Sequence, residues 1–193
     1  MNTRITFLAA ACALTLAACG DKTANTAETP APAAPAVTSE PATEVAPAPA
    51  PAATTPGSDK PAAVVTDCAT EIVGTDAMQF DVGSITVPAS CTKFTITLKH
   101  SGQMPVTAMG HNVVIAKAAD MQGVAADGIG AGAAAGYLKS GDTRVIAHTE
   151  LIGGGQSTTV SFPVASIQGA GPYEFFCSFP GHSTVMKGSI AVG

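Results

Sequence analysis

An all-β sandwich is the fold class that this sequence of 193 residues predicts. Three observations carry it. Phe94, Ile96 and Leu98 alternate with Thr95, Thr97 and Lys99, the two-residue period of a half-buried strand. Short runs of this kind recur from Val64 onward, separated by turn clusters such as Gly153-Gly154-Gly155 and Gly169-Ala170-Gly171. One stretch there, Ala118 to about Ala134, is alanine-rich without a β-branched run, and its glycines limit it to a short helix.

Taken in order, the chain divides into residues 1–18, 19–63 and 64–193. Behind Arg4 an apolar run extends from Ile5 to Ala18, too short to span a bilayer and suited to a secretory signal peptide. It ends Leu16-Ala17-Ala18-Cys19-Gly20, which resembles a bacterial lipobox with cleavage before an acylated Cys19. An ordinary signal-peptidase site is the alternative. Two or three acyl chains would anchor firmly where one alone binds only marginally. Gly20, rather than Asp, at the next position points by known sorting rules to the outer membrane. The linker that follows is Ala, Pro, Thr and Glu with almost no large apolar residue, so it is expected to remain disordered. At about 3.1 Å per residue it reaches on the order of 100 Å, as a tether or as a plain spacer.

Within residues 64–193 the expected strands are Ala69–Val73, Ile85–Val87, the Phe94–Leu98 run, His111–Lys117, Arg144–His148, Thr158–Phe162, Pro172–Cys177 and Met186–Val192. Ile85–Val87 ends at Pro88, a strand edge, because proline cannot donate to a ladder. Strand parity puts Tyr173, Phe175 and Cys177 on one face and Phe176 on the other. The formal net charge of −5 is spread along the chain without a basic run, which sets nucleic-acid binding aside.

The chemistry concentrates in Tyr173–Gly188, YEFFCSFPGHSTVMKG, which spaces Cys177, His182 and Met186 as C-x4-H-x3-M. A thiolate, an imidazole and a thioether on one loop form a soft donor set. It lacks only a second imidazole to match the His₂Cys site with a weak axial Met of blue-copper electron transfer. His111, in MGHNVVIAK, heads an apolar run far upstream and can supply it. Taken singly, each is more often core: Cys is commonly buried, Met fills gaps, and a lone His is usually just satisfied. Zinc also takes Cys and His, but its structural sites favour more thiolates. A single Cys with a thioether four residues past a His favours copper.

From Cys68 to its end the chain resembles the azurins, bacterial blue-copper proteins, in MQF, ITVPASC, GHN, AADMQGV, RVIAHTELIGGG and FFCSFPGHSTVMKG. The resemblance implies an eight-stranded Greek-key cupredoxin sandwich with one short helical insertion. It also implies a single type 1 copper held by His111, Cys177, His182 and axial Met186, with the Gly110 carbonyl on the opposite axial side. Backbone N–H groups of Asn112 and Phe179 are the implied donors to the sulfur. Cys68 and Cys91 are the implied disulfide, which an exported compartment permits. The apolar ring around the outer edge of His182 is implied to be Met78, Met104, Met109, Ile129, Phe179 and Gly181. The implied partners are redox proteins such as c-type cytochromes, a peroxidase or a nitrite reductase. Azurins often carry a core Trp in the strand after the first His ligand; this chain has none, so Val113 or a neighbour must fill that space.

Three rival functions stand against a one-electron carrier. An oxidase or reductase needs a second metal, yet only His100 and His148 remain of four histidines, and no His flanks Cys177. Of these two, His148 reads as a surface strand residue and His100 as core packing or a group titrating near neutral pH. A copper carrier needs fast exchange, which a closed preformed site suits poorly. A copper-binding surface interaction module is the third.

Overall fold

A computed structural model describes residues 59–193; the expected signal peptide, Cys19 with its expected acylation, and the expected linker up to residue 58 lie outside the described residues. The strands in chain order are β1 (Val65–Thr66), β2 (Ala69–Thr75), β3 (Gln79–Phe80), β4 (Ser84–Val87) and β5 (Lys93–His100). They continue with β6 (Val114–Lys117), β7 (Ala147–His148), β8 (Ser157–Pro163), β9 (Tyr173–Phe176) and β10 (Lys187–Val192). Helix α1 (Val106–Met109) precedes β6, and α2 (Met121–Ala131) follows it. Ten strands thus stand among the described residues where eight were expected; β1, β3 and β7 are two-residue pieces.

Two sheets form the sandwich. One runs β1-β2-β5-β8, with β3 also on β2, and the other β4-β10-β9-β6-β7. The pairs β2–β5 and β4–β10 are parallel and the rest antiparallel. On β5 the two-residue period does what it predicts: Phe94, Ile96 and Leu98 point inward and are fully buried. Each such side chain contributes about 1.5–3 kcal/mol by leaving water. Tyr173, Phe175 and Cys177 enter the same inter-sheet core, whereas Phe176 packs on the other face with Val114, Ala116, Met121 and Val124 beneath α2. Val113, completely buried, occupies part of that inter-sheet core.

Helix α2 runs through Gly128, where a Cβ would collide with the Tyr137 carbonyl, and stops at Gly132, whose φ of 75° suits only glycine well. Cys68 and Cys91 form a disulfide with Cα atoms 5.8 Å apart, joining the β1–β2 turn to the turn before β5. Ahead of β1, Gly83 N–H donates to the Pro61 carbonyl (2.9 Å) and Ala63 N–H to the Ser84 carbonyl (2.8 Å). Residues 61–66 therefore stitch the edge strand β4 of one sheet to β2 of the other.

Candidate metal centre

Two loops at one end of the sandwich bring the donors together. His111 sits just before β6, held by mutual backbone bonds with Ile152 (2.9 Å each way). Cys177 follows β9, and its N–H donates to the Met186 carbonyl (3.0 Å), closing the loop that carries His182. His182 accepts in turn from the Met186 N–H at its own carbonyl (2.8 Å). The four side chains are sealed: His111, Cys177 and Met186 are 0 % exposed and His182 2 %.

Sγ of Cys177 lies 3.6 Å from Nδ1 of His182 and 4.0 Å from Nδ1 of His111. The three donor atoms fall within 4.8 Å of one another, the one such group among the described residues. Bonds of roughly 2.0–2.3 Å to one ion place donors in a trigonal plane roughly 3.5–4 Å apart, so the spacing fits a metal. Soft sulfur with imidazole, and no carboxylate, fits copper. The Gly110 carbonyl stands 3.7 Å from Sγ.

The surroundings prepare each donor. The Thr75 carbonyl, 2.9 Å from His111 Nε2, can only accept, so the ring proton sits on Nε2 and Nδ1 keeps its lone pair. Burial holds the His111 imidazole below its ordinary pKa and pushes His182 down to about 4, with the other histidines adding to the effect on His182. Both are therefore neutral and ready to ligate near pH 7. Burial pushes the Cys177 thiol up to about 11, against the opposing N–H groups of Asn112 and Phe179 that point at the sulfur. Only a metal makes this thiolate at neutral pH.

Beyond the expected N–H of Asn112, several supporting contacts were not anticipated from sequence. Asn112 and Ser178, the residues that follow two of the ligands, bond to each other (Nδ2 to Oγ 2.8 Å; Ser178 N to Oδ1 2.9 Å). Both also donate to the Gly136 carbonyl, at 3.0 and 2.9 Å. Gly74 leaves room for two ligands, because a Cβ there would come within 2.8 Å of the His111 ring and 3.2 Å of the Met186 methyl. An isolated glycine inside a strand pattern was the available signal. Val185 in the ligand loop is 55 % exposed, an apolar surface residue that the ligand spacing does not point to.

Of the residues expected to ring His182, Met78, Met104 and Ile129 are exposed, Met109 and Phe179 half-buried, and Gly181 exposed. Ile129, Phe179 and Gly181 line one groove, and the Phe179 ring stacks on His182 with centroids 4.5 Å apart. Asp76 accepts from the N–H groups of Gln103 (2.9 Å) and Met104 (3.4 Å), drawing the Met104 turn toward Met78. It also meets Nε2 of the buried His100 at 3.1 Å. His148 is exposed on β7.

Residues 66–193 match the family of copper-binding proteins described as plastocyanin/azurin. Azurin of Bordetella pertussis is 54 % identical over 124 residues, 64 % of this chain and 83 % of that one. Azurin of Pseudomonas denitrificans is 50 % identical over 126 residues, covering 65 % and 98 %. The solved structure of azurin iso-2 from Methylomonas sp. strain J superposes with a TM-score of 0.64 at 44 % identity, over 66 % of this chain and 99 % of that one.

Proposed function

The chain belongs to the plastocyanin/azurin family of copper-binding proteins, and on that premise we propose an azurin-like electron carrier tethered to the outer membrane through acylated Cys19. The observation that carries the electron-transfer reading is the enclosed set of His111, Cys177, His182 and Met186. Bound copper supplies a one-electron couple, Cu(II)/Cu(I), without a proton or a substrate of its own. The residues do the rest. His111 is locked in one tautomer by Thr75, and the thiolate is steadied by the N–H groups of Asn112 and Phe179. The Gly110 carbonyl, 3.7 Å from Cys177 Sγ, would offer the ion a weak oxygen donor beside the four side chains. A buried, hydrogen-bonded ligand set moves little between oxidation states, which keeps the exchange fast.

Electrons are assigned to pass at the outer edge of His182, whose Nδ1 faces Cys177 Sγ and whose Nε2 has no hydrogen-bond partner among the described residues. Met78, Met104, Met109, Ile129, Phe179 and Gly181 form the apolar docking ring there. None of them is charged, which suits contacts that form and separate fast. A c-type cytochrome, a peroxidase or a nitrite reductase is the fitting partner class. The domain, residues 64–193, works on the periplasmic or cell-surface face of the membrane, behind a cleaved signal peptide (1–18) and a linker (19–63).

Adding Cu(II) to the purified chain is expected to produce an intense visible charge-transfer band that Cys177→Ser abolishes. A colourless wild-type complex sinks the type 1 site. The anchor is tested separately: native protein is expected in the detergent phase and Cys19→Ala in the aqueous phase. Equal partitioning of the two removes the acyl chains from the reading.

A further inference from the structure

Beside the copper-binding end lies a depression of about 390 Å³ that the electron-transfer site does not use. One wall is the run Ala133-Ala134-Ala135, small and exposed; the other carries His148, Glu150 and Leu151. Its back is tied to the metal centre. The Gly136 carbonyl accepts from Asn112 and Ser178, the neighbours of His111 and Cys177. Leu151 packs over Gly110, where an added Cβ would lie 3.0 Å from Leu151 Cγ. Tyr137, the residue after Gly136 of that lining, meets Phe179 of the expected apolar ring edge-on at 5.2 Å.

Charge decides what this depression would hold. Glu150 is the one residue of its lining with a full charge at neutral pH, and it makes no ion pair among the described residues. His148 points the same way as Glu150, two residues apart on an extended segment, and its Nδ1 is engaged with the Thr149 carbonyl (3.0 Å). Lys139 lies in the adjoining depression, beyond Ala135 and His148. An alanine-walled slot ending in a carboxylate suits the alkyl stem and cationic head of a lysine or arginine.

We infer that this pocket is a second contact point for the redox partner, receiving one Lys or Arg from the rim of a basic haem protein whose apolar face covers the His182 ring. The inference rests on the electron-carrier reading. One electron passes from ferrous haem to Cu(II), leaving ferric haem and Cu(I); no bond is made or broken and no proton moves. The apolar ring sets close approach, and Glu150 sets the rotational register that a charge-free patch lacks.

The test uses the full copper-loaded chain and a strongly basic mitochondrial ferrocytochrome c, followed by stopped flow. Glu150→Gln is expected to slow cytochrome oxidation roughly 3- to 10-fold at low ionic strength, with the difference fading in high salt. Ala134→Trp, which fills the slot without changing charge, is expected to slow it at both salt concentrations. Asp67→Asn removes an equal charge at the far end, next to Cys68, and is expected to change the rate less than about 1.5-fold. Independently, amide resonances of residues 133–136 are expected to shift when reduced, isotope-labelled protein is titrated with the ferrocytochrome. Equal slowing by Asp67→Asn and Glu150→Gln, or unmoved amides at 133–136, overturns the pocket. A blue wild-type protein that exchanges no electrons with any redox protein overturns the carrier reading instead.

Discussion

Glu174 sits in β9 on the face that Phe176 shares with α2, flanked by Ala116 on β6 and Ser189 on β10. Its side chain is 13 % exposed; Oε1 lies 3.6 Å from Lys187 Nζ, while Oε2 is enclosed without a partner among the described residues. A carboxylate drawn out of water loses several kcal/mol of hydration, and one long contact to a half-exposed ammonium does not return it. Glu174→Met keeps the length and removes the charge, so it is expected to stabilise the fold by about 0.5–2 kcal/mol. A urea midpoint that falls instead would mean that water or Lys187 already satisfies Oε2. The metal ligands were legible at this scale because Cys, His and Met are rare and their spacing is distinctive. Thr75 and Gly136 were not, since they act through backbone carbonyls that any residue offers.

Arg144 organises the elements behind the metal centre. Its Nε and Nη2 hold the two oxygens of Asp142 at 2.8 and 2.6 Å, and Nη2 also reaches Asp127 on α2 at 2.6 Å. The same Asp142 accepts from the Arg144 N–H (3.1 Å), bending the backbone into a turn. That is why the strand expected over Arg144–His148 shrinks to β7, Ala147–His148. The guanidinium pulls the Asp142 carboxyl down to about 2, below the 3.9 or so of an unfolded chain. A carboxylate depressed in the fold contributes stability above that unfolded value and loses it as pH falls toward 2. In metal-free protein, Arg144→Met is therefore expected to lower the urea midpoint at pH 7 and to differ less from wild type at pH 2.5. A gap that stays constant would assign the loss to packing alone. Helix α2 was legible from its alanines, whereas α1 (Val106–Met109), one turn after Pro105, is too short for any period to reveal.

For the whole molecule, the sandwich was readable because inward and outward residues alternate along β5 and β9. The strand order was not, because the parallel pairs β2–β5 and β4–β10 join segments distant in sequence. The disulfide spans a sequence separation of 23 and, in the chain-entropy account, contributes about 3 kcal/mol. Replacing Cys68 and Cys91 by Ala is expected to cost about that much while leaving the visible band in place, because Cys68 and Thr75 lie at opposite ends of β2. The band moving with the disulfide would reveal a coupling between the two ends. The stitch at residues 61–66 acquires another meaning if the linker is ever pulled taut. Tension arrives first at the two hydrogen bonds between Pro61–Ala63 and Gly83–Ser84, then at β1. Once those peel away, the load reaches Cys68, where a covalent bond to Cys91 halts the unravelling. Residues 59–67 measure about 30 Å when fully drawn out, and they straighten before any strain reaches the strands that carry the ligands.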